Sequence, residues 1–439
     1  MVYRFLKIVI GVGINLFYKE IQVKNKRALQ NDGPKIIIAN HPNTLMDAWM
    51  IGYVCRDPIY YMAKATFFDS RLKTWFLRGL GLIPINRAAE SKTKRVSNQD
   101  SFEHCYRILE RGKTLVIFPE GTSFNERQLR ILKSGAARIA LEVERRNEGV
   151  LNLKVVPVGL VYSQPEKFRS SVLVNIGEPI DPTFFLDKFK EDSLKTTRLL
   201  TEKFRQNLEK LLVGATSTEH ELLVNDITNI LSSEYIDSKE KGVERDVLLI
   251  KRIFESVNRI HMTEPDTLED ISELVYRIKY QLNKYEIKSG FLDRRYKPRM
   301  FVRQLFFSII FLLLGLPLYL LGIVHNVVQY KMVDVIVSKI VRDLEYYAPL
   351  SVLISLIVYP LSYLGFISLM DYFFELNIWV KLIYLILMPT LGLFAWFFHK
   401  YLSHVSFKTN YLFLMTTQKD AMITLHDDRE KLRDLLFKK

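Results

Sequence analysis

Three uncharged stretches near the C-terminal end restrict the fold more than any other feature. Leu305 to Val324 carries no charge over about 20 residues, and neither does Pro349 to Met370 over about 22. Leu382 to Phe398 is a third candidate, extendable past Lys381 to Ile378. Helices of this length cross about 30 Å of hydrocarbon. One such run fits a buried core helix, but three in succession argue for a helical membrane region over 303–398, with segments at 305–324, 349–370 and 378–398. Charges in the flanks bear on orientation. Arg294, Arg295, Lys297, Arg299 and Arg303 precede the first segment and place its front end in the cytoplasm. The loop after it carries Lys331, Lys339 and Arg342, which favours the same side. The loop between the second and third segments holds Asp371 and Glu375 and no basic residue, and His399-Lys400 follows the third. The pattern fits an even number of crossings, with 305–324 returning to its own side through a re-entrant break at Gly315-Leu316-Pro317. In the alternative, 305–324 spans and the charge rule fails once.

A chain of 439 residues has room for two or three domains. Its net charge of +14, joined to membrane-length segments, points to an anionic membrane surface or to phosphate-bearing substrates. Nucleic acid is the competing partner, but no zinc spacing, recognition-helix pattern or basic low-complexity tail supports it. Two cysteines, Cys55 and Cys105, make neither a disulfide framework nor a metal site, which fits reduced thiols in a cytosolic domain. The apolar part of residues 1–19 is too short to span a bilayer. No small-residue cleavage site follows it, which argues against a signal peptide. It reads as a helix in the interface, with Tyr3, Phe5, Phe17 and Tyr18 at headgroup depth, the alternative being a helix that docks on the rest of the protein.

Residues 20–213 alternate short apolar runs with helical patterns. Strands are predicted at Ile36–Ala39, Ile59–Ala63, Leu115–Phe118, Val155–Tyr162 and Val172–Ile176, and helices near 70–79, 96–111, 127–147 and 184–213. This alternation is the signature of an α/β domain around a mostly parallel sheet flanked by helices. Residues 214–302 are charged, helical in pattern and free of strands. Thr267-Leu268-Glu269-Asp270 precedes a periodic run of Ile271, Leu274, Val275, Ile278 and Leu282, which suits a helical insertion. Residues 399–439 read as a soluble tail.

Within the α/β domain, the strand Lys35–Ala39 runs into Asn40-His41-Pro42-Asn43-Thr44-Leu45-Met46-Asp47. A histidine therefore sits where a strand ends, the usual ligand-binding edge of an open α/β sheet. An aspartate follows near the start of a helix. A carboxylate bonded to one imidazole nitrogen fixes the tautomer and leaves the other free to take a proton. Downstream come Gly81-Leu82-Ile83-Pro84-Ile85-Asn86-Arg87, then Phe118-Pro119-Glu120-Gly121-Thr122-Ser123, then Val155-Val156-Pro157-Val158-Gly159-Leu160. In this order and at these intervals, the four stretches resemble the four blocks of the glycerolipid acyltransferase family, typified by 1-acylglycerol-3-phosphate acyltransferase. The resemblance covers about residues 20–210.

The resemblance implies that family's fold and the roles that follow. His41 is the general base and Asp47 the group that orients it, and the acceptor hydroxyl attacks the thioester directly. Arg87 holds the acceptor phosphate, a task suited to the guanidinium fork. Lys64, before the second block, is a further phosphate candidate. Glu120 accepts hydrogen bonds from acceptor hydroxyls, Gly121 lets backbone approach the ligand, and Thr122 completes the block. Lys133 opens a Lys-x-Gly segment leading into the next helix. Two departures stand out. Five residues, not the commoner four, separate His41 from Asp47. One added residue turns a helical side chain by about 100°, so Pro42-Asn43 must absorb it before the helix. The longer spacing is similar to that of the branch containing glycerol-3-phosphate/dihydroxyacetone-phosphate acyltransferases. Ser123 stands where the family often has arginine, and Arg127 or Lys133 is the candidate substitute. Pro157, inside a strand, marks an edge or an interruption.

The resulting expectation is a multi-pass membrane O-acyltransferase with its catalytic domain on the cytoplasmic face. Its donor is acyl-CoA or acyl carrier protein, and its acceptor glycerol 3-phosphate, dihydroxyacetone phosphate or 1-acylglycerol 3-phosphate. No cofactor is needed, because the thioester is already activated. Two alternatives stay open: another lysolipid or amino-lipid acceptor, and a catalytically silent scaffold of the same fold.

Overall fold

The computed structural model describes residues 2–30, 33–85, 98–125, 128–212, 218–231, 242–292, 298–341 and 343–437. The chain divides into two compact units. One comprises Met1–Ala215, Glu240–Val247 and Asp343–Val352; the other comprises Thr216–Lys239, Leu248–Arg342 and Leu353–Lys439.

A seven-stranded sheet organises the first unit. Its strands are β1 (Glu20–Lys24), β2 (Lys35–Ala39), β3 (Ile59–Lys64), β4 (Leu82–Ile85), β5 (Thr114–Ile117), β6 (Lys154–Tyr162) and β7 (Ser171–Ile176). They lie in the order β1-β7-β6-β2-β5-β3-β4. All neighbours pair parallel except β6 and β7, so β1 and β7 run against the other five. Strand β2 is central, and Ile36, Ile37, Ile38 and Ala39 are all fully buried. Burial on both faces explains its unbroken apolar run. The two strands not predicted, β1 and β4, are the sheet's edges. Pro84 is tolerated in β4 because an edge strand has one side free of ladder bonds. Pro157 instead lies in an interior strand, beside a gap in the β6–β7 pairing. The ladder begins at Val158, an isolated bridge joins Val155 to Ile180, and between them the Pro157 carbonyl accepts from Gly177 N–H at 2.8 Å.

Helices cover the sheet: α1 (Val2–Phe17), α2 (Thr44–Val54), α3 (Arg71–Gly79), α4 (Asn98–Glu110), α5 (Gly135–Arg146), α6 (Leu186–Glu191) and α7 (Ser193–Leu211). Side chains from α4, α5 and α7 (Leu109, Ile139, Leu141, Phe204, Leu208) close over Ile36, Ile38, Leu115 and Val155. Helix α5 starts later than the pattern over 127–147 suggests. Two backbone bonds hold the preceding stretch outside the helix: Lys133 N–H donates to the Pro119 carbonyl (2.8 Å) and Arg130 N–H to the Glu120 carboxylate (3.3 Å). Helix α1 also departs from expectation. Phe17 and Tyr18 do not face outward: they are 5% and 1% exposed. Phe17 packs edge-on against Tyr18 and Phe168. Tyr3 turns toward β3, its hydroxyl accepting from Ile59 N–H at 3.3 Å. The reason is register, since the stripe Gly13, Ile14, Phe17 faces the domain while Phe5, Ile8, Val12 and Leu16 face out.

The second unit is helical among its described residues. It holds α8 (Thr218–Leu231), most of α9 (Val243–Thr263), α10 (Pro265–Lys284), α11 (Pro298–Ile340), most of α12 (Tyr347–Phe374), α13 (Ile378–Thr417) and α14 (Lys419–Phe437). Ile271, Leu274, Val275 and Ile278 form the buried stripe of α10. Arg277 on that helix makes a bidentate pair with Asp428 of α14, at 2.8 and 2.6 Å. Among the described residues, three helices are long and apolar enough to cross a membrane: Arg303–Ile340, Leu344–Phe374 and Ile378–Thr417. The re-entrant break expected at Gly315-Leu316-Pro317 does not form, because α11 continues through Pro317 to Ile340. Breaking a helix amid apolar residues would strand several backbone groups, whereas keeping it forfeits one donor at Pro317. Helices α11 and α13 run antiparallel, with Gln304 meeting Lys408, Ser308 meeting Tyr401 and Asn326 meeting Met388.

Candidate active site

Sheet order brings the site together. Strand β2 lies between β6 and β5, so the exits of these parallel strands are neighbours. Asn40, at the end of β2, is 6% exposed and clamps this edge to β6: its amide donates to the Leu160 carbonyl (2.9 Å) and its carbonyl accepts from Leu160 N–H (2.7 Å). His41 follows. Its Nδ1 lies 2.9 Å from Asp47 Oδ2. The His41 ring stacks on Phe118, which follows β5, with centroids 4.0 Å apart and planes 11° apart.

Asp47 is fully buried in the first turn of α2. Its Oδ2 also accepts from Asn43 N–H at 2.7 Å, and its Oδ1 accepts from the Tyr162 hydroxyl at 2.8 Å. An ionised carboxylate can only accept, so it pairs with the His41 tautomer that has its proton on Nδ1, and Nε2 is then the acceptor nitrogen of the neutral ring. Burial, then the neighbouring Asp47 charge, pushes Tyr162 well above the ordinary tyrosine value, so this phenol remains a donor. Tyr18, 3.4 Å from the Asn43 amide, is raised by the same causes.

The fifth residue between His41 and Asp47 is absorbed in the turn. Helix α2 begins only at Thr44, which adopts a left-handed φ of +40°. That conformation is costly for a β-branched residue and is held in place by its surroundings. The Thr44 hydroxyl donates to the carbonyl of Glu345 at 2.9 Å. Glu345 belongs to the short segment of the first unit that leads into α12.

Glu120 sits at the exit of β5 and is 9% exposed. One of its oxygens accepts from His41 N–H at 2.9 Å and the other from Arg130 N–H. Burial raises its pKa, against the opposing pull of those two bonds. Gly121 follows with a φ of +78°, and a Cβ there would collide with the Lys133 side chain, so the Lys133 ammonium lies against the Gly121 backbone. The His41 carbonyl accepts from Phe124 N–H at 3.1 Å, which fastens the 121–125 turn to the histidine. Thr122 is half-buried in that turn. Lys64 ends β3, one strand beyond β5, and is half-buried. Arg87 and Arg127 lie outside the described residues. The structure therefore groups His41, Asp47, Glu120, Gly121 and Lys133, with Lys64 at the same sheet edge.

Sequence reasoning missed Tyr162, Asn43 and the stacking role of Phe118. Tyr162 is the last residue of the fourth-block strand, and only the adjacency of β6 and β2 makes it a partner of Asp47. Cys55 and Cys105 stand apart: burial raises their thiols to about 11 and about 12, unlike nucleophilic cysteines.

A family model described as Acyltransferase matches residues 20–161. Glycerol-3-phosphate O-acyltransferase 1 of Saccharomyces cerevisiae is 31% identical over 137 residues, which is 30% of this chain and 17% of that protein. The chloroplastic 1-acyl-sn-glycerol-3-phosphate acyltransferase LPAT1 of Arabidopsis thaliana is 24% identical over 152 residues, 34% of this chain and 38% of that protein. The chain thus spans well under half the length of these relatives. The crystal structure of PlsC, the 1-acyl-sn-glycerophosphate acyltransferase from Thermotoga maritima, aligns with 48% of this chain and 80% of that one, at 19% identity and a TM-score of 0.35. Residues 20–161, which hold the histidine, its buried aspartate and the glutamate beside them, are the part of the chain that matches the Acyltransferase model.

Proposed function

We propose that this chain is a membrane-bound glycerolipid O-acyltransferase. It moves a fatty acyl group from the thioester of acyl-CoA or acyl carrier protein to a hydroxyl of a phosphorylated glycerol acceptor. The acceptors are glycerol 3-phosphate, dihydroxyacetone phosphate or 1-acylglycerol 3-phosphate, in a step toward phosphatidic acid. The observation that carries this reading is the His41–Asp47 pair at a sheet edge, with Asp47 held by Tyr162 and Asn43. His41 Nε2 takes the proton of the acceptor hydroxyl as its oxygen attacks the thioester carbonyl. Asp47 fixes the ring and stabilises the imidazolium. When the tetrahedral intermediate collapses, the C–S bond breaks and the imidazolium returns the proton to the departing thiolate. Glu120 holds the His41 backbone and faces the acceptor hydroxyls, while Gly121 and Thr122 shape the turn beside them. Arg87, Lys64 and Lys133 hold the acceptor phosphate, with Lys133 serving where Ser123 replaces an arginine.

The Thr44–Glu345 bond favours a site at the membrane surface, because the apolar stretch Leu344–Phe374 starts beside the His41 turn. An acyl chain can then stay in the lipid while a polar acceptor arrives from water. The basic residues before α11 favour the cytoplasmic face for this domain. The outward stripe Phe5, Ile8, Val12 and Leu16 on α1 suits contact with the same surface. Ser123 keeps a second reading in view, acylation of a lysolipid or amino-lipid without a terminal phosphate.

The test offers labelled palmitoyl-CoA and palmitoyl-acyl carrier protein to detergent-purified protein with each phosphorylated acceptor. The expected result is a labelled ester on one of them and tenfold or greater loss in Arg87→Ala, the range of a lost charge-assisted bond. Acylation of a phosphate-free lysolipid alone would replace this reading with the second.

A further inference from the structure

A cavity of about 580 Å³ opens between α11 and α13, far along the chain from the acyltransferase motifs. Its lining is Arg303, Gln304, Phe307, Ser308, Tyr401, His404 and Lys408, with no carboxylate among these seven. Lys408 is only 4% exposed, and its ammonium donates to Gln304 Oε1 at 2.7 Å. The Tyr401 and Ser308 hydroxyls lie 2.8 Å apart, and Ser308 also bonds the Gln304 carbonyl. His404 stacks on Phe291 with ring centroids 5.1 Å apart. A deep ammonium, an exposed guanidinium, an imidazole and two hydroxyls thus converge on one space of ligand size.

The location narrows the ligand. The charge-free run of α11 begins at Leu305, so Arg303 and Gln304 sit where hydrocarbon would give way to headgroups. Phe307, 61% exposed, and Leu314, 76% exposed, continue as apolar surface from the cavity along α11. Arg294, Arg295, Lys297 and Arg299 precede it in the sequence and make this stretch of the chain strongly basic. Basic pockets between membrane helices near the cytoplasmic boundary are the setting in which anionic lipid headgroups bind. We propose that this cavity binds the phosphate-bearing headgroup of an anionic diacyl glycerophospholipid, with Arg303 and Lys408 facing the phosphate and the acyl chains lying along Phe307 and Leu314. The cavity shares no lining residue with the His41 centre. It rests on α11 and α13 lying in a bilayer, not on the acyl-transfer reading.

The test uses the full chain in detergent micelles, titrated with fluorescent dioleoylphosphatidylglycerol and with the phosphatidylcholine analogue. Phosphatidylglycerol avoids confusion with phosphatidic acid, which is a product of the proposed reaction. The wild type should prefer the anionic lipid, and Arg303→Gln, a change at an exposed residue, should weaken that preference about fivefold, the effect of one basic residue near the surface. His404→Gln should weaken it as well, and His41→Ala should not. Competition with millimolar inorganic phosphate separates the sources of the anion. If phosphate displaces the lipid, the phosphate chemistry stands and extends to the free ion; if it does not, the headgroup is the ligand. Equal binding of the two lipids by the wild type would overturn the proposal, as would a preference that Arg303→Gln and His404→Gln both leave intact.

Discussion

Asp47 accepts from His41, Asn43 and Tyr162 while fully buried. Losing one donor should therefore be felt at His41. Tyr162→Phe removes the bond to Oδ1 and leaves that oxygen unsatisfied, which costs about 1–3 kcal/mol. The expected outcome is a lower kcat with KM for the acceptor nearly unchanged, measured by steady-state acyl transfer; a KM effect alone would count against a positioning role. Glu120 offers a pH test. Its folded pKa lies above the ordinary glutamate value because burial disfavours the charged form. The fold therefore binds more protons than the unfolded chain as pH climbs from that value through the raised one, and stability falls across the same window. Glu120→Gln does not titrate. Thermal melts at a series of pH values should show the wild type losing ground to the variant across that window and keeping a constant offset above it; parallel curves would refute the burial argument. His41, Asp47 and Glu120 were legible because strand exits and short motifs carry them. Tyr162 was not, since it is 115 residues from Asp47 in sequence and meets it only through sheet order.

At the scale of elements, the strands read best were those buried on both faces. Ile36–Ala39 and Val155–Tyr162 declare themselves by apolar runs, whereas edge strands such as Glu20–Lys24 are half-buried and carry mixed residues. The late start of α5 was hidden because bonds from Pro119 and Glu120, not local propensity, keep 128–134 out of the helix. Side-chain facing on α1 failed at Phe17 and Tyr18 because aromatic residues suit a protein core as well as a headgroup layer. Close approach of α11 and α13 depends on Gly322. A Cβ there would lie 2.7 Å from the Ala395 Cβ and strike the Leu391 backbone. Gly322→Leu should part the helices and cost about 1–3 kcal/mol, the range for overpacking. A melting temperature in detergent equal to wild type would show that the helices do not rely on that contact.

The molecule as a whole pairs an α/β domain that matches an acyltransferase family model with helices apolar enough to cross a membrane. Those helices were the plainest signal in the sequence, because twenty uncharged residues have few other uses in a chain of this composition. The path of the chain was less legible. The segment Asp343–Val352, which includes the first turns of α12, joins the first unit while the rest of that helix belongs to the second, and Thr44 reaches its Glu345 carbonyl through a hydrogen bond that no local pattern announces. If α11, α12 and α13 lie in a bilayer, the protein stays with the membrane pellet after alkaline carbonate washing and leaves it only with detergent. Release by carbonate alone would place these helices at the surface.

The most direct test of the account is the rate of CoA release from palmitoyl-CoA on adding glycerol 3-phosphate, dihydroxyacetone phosphate or 1-acylglycerol 3-phosphate, compared between wild type and His41→Ala at matched donor occupancy. General-base catalysis by His41 requires the variant to fall by about 10²–10⁴-fold while still binding donor. A variant that releases CoA and forms ester at the wild-type rate would contradict the His41–Asp47 mechanism at its centre.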